Sequence, residues 1–343
     1  MGIRFLNNYL KTNCQHAIHE KKFSYFANKV IVIDSSIYIY KYLKTDNLLE
    51  GIYSMIIRFK KHNITPIFVF DGHSIEQKSE LISMRKEKKY KAKEEYDKLA
   101  IQYKFLKEDL EKNKKEELMD ITERMDELKK TFVQLKNRHI EDVKRVLEAF
   151  NILHFTADNE ADILCAYLVK KNFAYACLSE DMDMFVYGCP RVLRYMSVIQ
   201  EKMVLYDFHK ILNILNMNEE TFRTISILSG TDYNIEKKVR VDDDDCSDKL
   251  TNYVNEYMNL YKLYNKQIDV NRISFEKWLL SSNIDLMLDT KSFYDIKKLF
   301  DVDSFDYKVN MVELNNINKI KHNDVDKEKL KDIMKNEHFF FLF

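Results

Sequence analysis

The sequence has no long apolar run, and its first residues do not have the pattern expected of a signal peptide. No run approaches the length of a membrane span, and the first residues, MGIRFLNNYLK, lack a signal peptide's apolar centre and cleavage site. Five scattered cysteines without a CxxC pair favour reduced thiols and disfavour a zinc site. Fifty-five Lys and Arg balance fifty-five Asp and Glu, so net charge alone does not indicate a polyanionic partner. We therefore expect an intracellular, reducing compartment, without membrane insertion or secretion.

Glycine is scarce, so the positions that keep it are informative. The 343 residues contain five glycines, whereas average usage would give roughly 24. Gly72 follows Asp71, Gly188 lies just beyond a cluster of acids, and Gly230 stands two residues before Asp232. Because glycine permits tight turns, this pattern predicts strand-exit turns at a shared site, although three ordinary turns would leave the same pattern.

Three apolar runs are each followed within a few residues by aspartate, and the first two are rich in β-branched residues. They are KVIVID, ending at Asp34, ITPIFVFDG, with Asp71, and FAYACLSEDMD, with Asp181 and Asp183. Continuous apolar runs separated by helical segments predict an α/β fold with a mostly parallel sheet covered on both faces. Ligands of such folds bind beyond the carboxyl ends of the strands, so we expect the four aspartates to converge. Like charges about 4 Å apart repel by roughly 4 kcal/mol at a dielectric of about 20, so the cluster predicts a bound cation.

Two further segments add acidic candidates. FTADNEADILCAYLVKK predicts a helix capped near Asp158 or Asn159, with Glu160 and Asp162 in its first turn. Acids at that position also commonly just complement the helix dipole, so this segment alone does not establish a site. ILSGTDYN places Asp232 after an apolar segment and a glycine, which by itself is an ordinary turn.

The region 72–150 is charge-dense and carries apolar residues at helical spacing over 99–146, which predicts long helices or a helical hairpin. Its segment RKEKKYKAK, 85–93, contains one acid among its bases. A basic helix after an acidic site suits a phosphodiester, and a nuclear localisation signal is the competing interpretation. The mixed charges of 94–145 indicate solvated helix faces.

Seven short blocks in order resemble those of the flap endonuclease family, which also contains the XPG-type and exonuclease-1-type enzymes. The blocks are MGI, VIDSSIYIY, FVFDG, the K-x6-R of Lys78 and Arg85, NEADILCAYL, SEDMDMFVYG and LSGTDY. The resemblance implies a PIN-like 5′ nuclease core with a twisted, mostly parallel central sheet flanked by helices, and a helical arch over the active site. It predicts a core at 1–71 and 151–232, an arch insertion at 72–150 and a helical C-terminal region at 233–343.

The resemblance also implies two divalent metals held by seven carboxylates. By position, the ligands are Asp34, Asp71, Glu160 and Asp162 for one metal, and Asp181, Asp183 and Asp232 for the other, some through water. Mg²⁺ suits oxygen ligands and retained waters, and Mn²⁺ is expected to substitute. The two ions would activate a water and stabilise the leaving oxygen during attack on a phosphodiester.

DNA contacts follow from the same resemblance. Lys78 and Arg85 match positions at the base of the arch that contact the scissile phosphate and stabilise developing charge. Tyr40 matches an aromatic on which a base stacks, although a core-facing aromatic is the other interpretation. Gly2 matches a glycine near the substrate junction. The remaining residues of the predicted DNA-binding set belong to the basic segment: Lys86, Lys88 and Lys89.

One element of the family's pattern is missing. Family members carry a helix-hairpin-helix-like element whose Gly-x-Gly turn grips duplex phosphates, whereas NIEKKVRVDDDDCSDK follows Tyr233 here. We expect the acidic run 242–245 to be a solvated loop pointing away from DNA; partial replacement of the missing element by Lys237, Lys238 and Arg240 is the alternative. The last residues, EHFFFLF, lack the glutamine of the sliding-clamp-binding motif, so no clamp interaction is expected.

The resulting hypothesis is a monomeric, metal-dependent nuclease for flap, nicked or branched DNA, with 5′ flap endonuclease and 5′-to-3′ exonuclease action in replication, recombination or repair. Retention of every matched carboxylate favours this enzyme over a catalytically impaired DNA-binding or scaffold protein. A junction-resolving or RNA-directed nuclease is the third hypothesis. The expected location is the nucleus or a cytoplasmic viral replication site, since the Asn, Lys and Ile bias is compatible with the AT-rich genome of a large DNA virus.

Overall fold

One mixed sheet organises the protein in its computed structural model. The structure describes residues 2–73, 78–108, 115–234, 252–267, 273–282, 288–305, 307, 314 and 325–335. The strands are β1 (Ile18–Lys22), β2 (Val30–Asp34), β3 (Thr65–Phe70), β4 (His154–Thr156), β5 (Ala176–Leu178), β6 (Arg191–Ser197) and β7 (Lys202–Asp207). Their spatial order is β1-β7-β6-β5-β2-β3-β4, parallel from β6 to β4 and antiparallel at β7. The predicted mostly parallel sheet is confirmed.

Helices cover both faces of this sheet. The α-helices of the described residues are α1 (Leu6–Asn13), α2 (Ser35–Leu43), α3 (Leu48–Lys61), α4 (Ser79–Glu108), α5 (Lys115–Phe132), α6 (Asn137–Ala149), α7 (Ala161–Lys170), α8 (Asp183–Val186), α9 (Phe208–Leu215), α10 (Glu219–Leu228), α11 (Tyr253–Gln267), α12 (Phe275–Ser281), α13 (Thr290–Leu299) and α14 (Lys327–Met334). Short 3-10 turns occur at Gln15–Ala17, Phe23–Phe26 and Val302–Ser304. None of these helices is both long enough and apolar enough to cross a membrane.

Alternate side chains of each central strand enter two separate hydrophobic cores. On β2, Val32 packs into one core, while Ile31 and Ile33 pack into the other, and all three are fully buried. The first core is closed by α1, α7, α9, α10 and the C-terminal helices α11 to α13; the second is closed by α2, α3, α6 and α14. Burial on both faces explains why the strand sequences are continuously apolar instead of alternating.

The charged insertion is a pair of packed helices, α4 and α5. The 30 residues of α4 correspond to about 45 Å of helix at a rise of 1.5 Å per residue. Its apolar seam is thin, with Ala92, Ile121 and Leu128 buried, whereas Phe105 is exposed. The helical hairpin predicted from the sequence is therefore present, and several large apolar side chains besides Phe105 are exposed on it: Met84, Tyr90, Ile101 and Met119. The acidic run 242–245 and the three bases near it lie outside the described residues.

Candidate active site at the carboxyl edge of the sheet

Three neighbouring parallel strands deliver their aspartates to one edge of the sheet. Asp34 ends β2, Asp71 directly follows β3, and Asp181 and Asp183 follow β5. Because β2 pairs with β3 on one side and with β5 on the other, their carboxyl ends lie side by side. Asp34, Asp181 and Asp183 are all buried. The structure thus brings together the four aspartates that the strand pattern predicted to converge.

Local donors hold two of these carboxylates in place. Ser179 donates its hydroxyl to Asp34 Oδ2 over 3.2 Å. Asp71 accepts a hydrogen bond from the Ser36 hydroxyl and another, of 2.8 Å, from the backbone N–H of Ala161. Ala161 is the first residue of α7, so this N–H belongs to the helix end that favours negative charge. The two serines were missed by sequence reasoning, although both stand next to acidic motif residues, in DSS and LSED.

Burial and mutual repulsion disfavour full ionisation of the cluster. Burial raises the pKa of Asp34 to about 7, and the charge of Asp71 adds to the rise. The pKa of Asp162 is raised well above its ordinary value, first by burial and then by the charge of Asp34. Burial, followed by the charge of Asp232, also raises the pKa of Asp181. A fold that assembles these groups gains stability from a positive partner.

The helix that presents Glu160 and Asp162 begins later than predicted. Asp158 and Asn159 were expected near the cap, but Glu160 is the N-cap and makes no side-chain capping bond. The reason is that the carbonyls of Asp158 and Asn159 accept hydrogen bonds from the backbone of His73 and Gly72, which fixes both residues to the loop after β3. Asp162 lies in the first turn as predicted, and its buried Oδ1 receives no hydrogen bond from the described residues.

Two cations from the base of the arch reach these acids. Lys78, directly before α4, donates to Glu160 Oε2 over 2.6 Å, and Arg85 on α4 lies 3.2 Å from Asp232 Oδ2. Burial would lower the pKa of Lys78, but the neighbouring Tyr233 and Glu160 outweigh it and raise the pKa. The Lys78 pair is largely buried, whereas Arg85 is 53% exposed. The K-x6-R spacing therefore places both bases against predicted metal ligands.

Arg194 braces the acidic loop from behind, a role that sequence reasoning did not find. This buried strand residue of β6 donates to the backbone carbonyl of Glu180 over 2.8 Å and to Asn7 Oδ1 over 2.7 Å. Its Nε lies 3.5 Å from Glu180 Oε2. The Glu180 side chain is thereby turned towards Arg194, so its charge is paired there instead of adding to the cluster that SEDMD indicated. An arginine as the fourth residue of the strand start RVLR, after two apolar residues, was the available signal.

Two glycines have different surroundings. Gly2 has a φ of 73°, and a β-carbon there would collide with the carboxylates of Asp181 and Asp183, so the N-terminal segment crosses directly over the acids. Gly188, with a φ of 75°, lies instead against the side chain of Glu219. Gly188 thus contacts the first residue of α10, and its place at a shared site stays a prediction.

An aromatic and basic neighbourhood extends from the acids along α4. Tyr40 on α2 is half-buried, and Lys89 Nζ lies 5.2 Å from the centre of its ring. Lys89 also donates to the carbonyl of Val133, which ties α4 to the end of the arch. Burial, and then the charges of Lys44 and Arg85, lowers the pKa of Lys89. The last two bases of the predicted DNA-binding set are exposed on α4: Lys86 and Lys88.

The carboxylates have the ligand chemistry of a divalent-cation site, but their side chains are not spaced to hold a cation in this structure. All of their ligand atoms would be oxygens, the pKa values of Asp34, Asp162 and Asp181 are raised, and Asp162 has a buried oxygen without a hydrogen-bond partner among the described residues. Such donors suit hard cations such as Mg²⁺. Within the described ranges, however, no three His, Cys, Asp or Glu side chains are grouped closely enough to hold a metal. Two of the acids are paired with Lys78 and Arg85 instead, so metal binding requires these side chains to exchange partners.

Comparison with known proteins identifies the relatives of this chain. Residues 1–92 match the XPG N-terminal domain and residues 151–232 match the XPG I-region. Flap endonuclease 1 of Glycine max is 31% identical over 252 residues, 68% of this chain and 62% of that protein. Flap endonuclease 1 of Encephalitozoon cuniculi is 31% identical over 250 residues, 68% of each. The matched part thus spans about two thirds of these relatives.

Solved structures with a similar fold have also been found. The solved catalytic core of Rad2 in complex with a DNA substrate superposes with a TM-score of 0.55 at 18% identity, covering 98% of this chain and 95% of that one. This likeness shows that the two chains share a fold. The chain therefore belongs to the XPG-type family of structure-specific 5′ nucleases, which includes the flap endonucleases.

Proposed function

We propose that this chain is a divalent-metal-dependent, structure-specific DNA nuclease that cleaves flap, nicked or branched DNA. The observation that carries the proposal is the meeting of buried carboxylates with the cations of the arch, seen in the Lys78–Glu160 and Arg85–Asp232 pairs. Carboxylates that repel one another suit divalent cations, and the arch cations suit a phosphodiester. Family membership supports 5′ flap endonuclease and 5′-to-3′ exonuclease action, in replication, recombination or repair, by a monomer.

Mg²⁺ is the proposed cofactor, with two ions per site and Mn²⁺ as a substitute. The proposed ligands are Asp34, Asp71, Glu160 and Asp162 for one ion, and Asp181, Asp183 and Asp232 for the other. When bound, the ions would supply Lewis-acid stabilisation to the attacking water and the leaving oxygen. The serine and backbone donors described above hold Asp34 and Asp71 in position for this task.

Lys78 and Arg85 would exchange their carboxylate partners for phosphate oxygens when DNA binds. In that position they stabilise the negative charge that develops on the phosphoryl group during cleavage. Tyr40 would stack on a base beside the scissile bond, with Lys89 holding the ring from the arch side. Gly2 leaves open the space above Asp181 that a larger residue would fill. The exposed bases of α4 would contact the phosphate backbone of single-stranded DNA.

The test is cleavage of a 5′-end-labelled flap DNA by the purified protein, with Mg²⁺, with Mn²⁺ and with a chelator. We expect incision near the junction with either metal and none with chelator. Asp181→Asn should abolish cleavage yet retain folding and DNA binding, because it removes one ligand charge from a buried site. Asp97→Asn, an exposed acid on α4, is the matched control and should cleave at the wild-type rate.

The same assay distinguishes the competing functions. Binding of flap DNA without incision in any metal would favour a DNA-binding or scaffold protein. Preferential cleavage of a four-way junction or of RNA would favour the junction-resolving or RNA-directed nuclease. Each substrate should therefore be compared at equal concentration and in equal metal.

A further inference from the structure

Two buried tyrosines form a hydrogen-bonded chain behind the candidate active site. Tyr187 directly follows α8, and Tyr233 directly follows Asp232; they are 1% and 8% exposed. Their hydroxyl oxygens lie 2.9 Å apart. The Tyr233 hydroxyl donates to Glu160 Oε2 over 3.0 Å, and Lys78 donates to the same oxygen. We call the set Tyr187, Tyr233, Glu160 and Lys78 the hydroxyl chain.

The chain has a defined direction. A tyrosine hydroxyl carries a single hydrogen. Because Tyr233 gives its hydrogen to Glu160, the bond between the two tyrosines must be donated by Tyr187 and accepted by Tyr233. Each bond in such a series polarises the next, so the donation from Tyr187 strengthens the bond that Tyr233 makes to the carboxylate.

Packing against the C-terminal region fixes both rings. Phe300, directly after α13, is fully buried, and its ring centre lies 4.8 Å from that of Tyr187 and 5.3 Å from that of Tyr233. On its other side, Tyr233 has Lys78 Nζ 4.8 Å from its ring centre. The helices beyond Asp232 therefore form one wall of the pocket that holds the hydroxyl chain.

We propose that Tyr187 is a positioning residue, which acts through Tyr233 to orient Glu160 and Lys78 and thereby links the C-terminal helical region to metal binding and cleavage. The proposal rests on the proposed function for the roles of Glu160 and Lys78. Both bonds to Glu160 reach Oε2 in the metal-free protein, and the bond from Tyr233 is the one that remains to orient the carboxylate when Lys78 exchanges its partner. Groups that orient a metal ligand in this way influence the affinity of the site although they touch neither metal nor substrate.

Isosteric variants separate this role from simple packing. Tyr187→Phe and Tyr233→Phe each remove one hydroxyl and keep the ring against Phe300. The variant with both substitutions completes a double-mutant cycle. Tyr261→Phe is the matched control, because Tyr261 is also buried and donates its hydroxyl to the carbonyl of Asn216 over 2.7 Å, away from the acids. The readouts are Mn²⁺ affinity of the DNA-free protein by calorimetry, the single-turnover rate of flap cleavage, and the melting temperature.

We expect Tyr187→Phe to weaken Mn²⁺ binding about 3-fold and Tyr233→Phe about 10-fold, the lower end of the effects of groups that orient metal ligands. The double variant should match Tyr233→Phe, because Tyr187 has no other route to Glu160; independent effects would multiply instead. The cleavage rate should follow the same pattern. Tyr261→Phe should lower the melting temperature comparably but leave Mn²⁺ affinity and cleavage rate unchanged.

Wild-type Mn²⁺ affinity in Tyr187→Phe, or effects that multiply in the double variant, would overturn the positioning role. The two proposals fail in distinguishable ways. A wild type that cleaves no DNA, with the expected Mn²⁺ pattern intact, would refute the nuclease and support the hydroxyl chain. A wild type that cleaves DNA, with Tyr187→Phe unaltered in both readouts, would refute the positioning role alone. Absence of Mn²⁺ binding in the wild type would overturn both.

Discussion

Replacing Asp34 by asparagine should stabilise the metal-free protein while abolishing the proposed cleavage. Asp34 is 5% exposed, and burial and the charges of Asp71 and Asp181 raise its pKa against the opposing hydrogen bonds of Asp162 and Ser179. Asparagine has the same shape and can still accept the hydroxyl of Ser179 through its amide oxygen. The substitution therefore removes a buried charge and leaves the packing in place, whereas a metal ligand is lost.

The size of the gain follows from the pKa. The pKa of Asp34 rises from 3.8 to about 7, and one pKa unit corresponds to about 1.4 kcal/mol. The free energy of unfolding that ionisation removes is therefore at most about 4 kcal/mol. Asp162 shares the repulsion and relaxes in part, so we expect about 2 kcal/mol at pH 8, or about 3 to 6 °C in melting temperature for a chain of this size.

The pH dependence of the free energy of unfolding distinguishes a charge effect at Asp34 from a packing effect. A carboxyl whose pKa is higher in the folded than in the unfolded state binds its proton more tightly when folded, so stability is lost as pH rises from about 4 through about 7. At pH 5 the folded Asp34 is still protonated but the unfolded carboxyl is already ionised, so the advantage of Asp34→Asn should be about a third of its value at pH 8. Above pH 7 the advantage should be complete.

Thermal melting in chelator at pH 5 and pH 8 measures this effect, with Asp97→Asn as the control for loss of one exposed charge. Added Mg²⁺ should raise the melting temperature of the wild type and of the control, and that of Asp34→Asn much less. The reasoning is refuted if Asp34→Asn melts below the wild type at pH 8 in chelator. It is also refuted if the gain is as large at pH 5 as at pH 8, since a charge effect must diminish on protonation.

Three other substitutions test separate contacts. Lys78→Met should lower single-turnover cleavage of flap DNA by about 100-fold, as loss of one charge-stabilising donor does, with DNA affinity nearly unchanged; an equal loss of affinity would contradict the role. Gly2→Ala should lower the cleavage rate and Mn²⁺ affinity, since its β-carbon meets the carboxylates of Asp181 and Asp183 at positive φ; wild-type values of both would refute the contact. Arg194→Met should reduce the free energy of unfolding by about 1 to 3 kcal/mol in urea melts, because it leaves the Glu180 carbonyl and Asn7 Oδ1 without their donor; an unchanged free energy of unfolding would show that these bonds do not hold the acidic loop.

The strands and their acids could be predicted because each signal is local. A continuous apolar run that ends in aspartate specifies a buried strand and a charge at its carboxyl end, and parallel pairing then brings Asp34, Asp71 and Asp181 together without further information. The arch could be predicted for a similar reason, since helical spacing of apolar residues needs no distant partner. The division of the chain into domains and the metal-ligand roles stay predictions.

Contacts between distant segments could not be predicted in this way. Glu160 becomes the helix cap because the backbone of 72–73, about ninety residues earlier, engages the carbonyls of 158–159. The Arg194 brace joins β6, the acidic loop and α1, and the Tyr187–Tyr233 bond joins residues 46 positions apart. None of these contacts produces a periodic pattern in the sequence, because a single buried polar contact depends on the packing of the whole core.

The balance of charge at the sheet edge argues that metal must precede productive DNA binding. Seven carboxylates are predicted metal ligands, and within the described residues the insertion helices pair two cations with them: Lys78 with Glu160 and Arg85 with Asp232. A phosphate that displaced either base from its acid would leave that acid uncompensated in a buried setting, where the repulsion is strong. Two divalent cations would offset most of the carboxylate charge and release both bases for the phosphate. DNA held without metal should therefore contact the exposed bases of α4 and remain away from the acids, even where its overall affinity is high.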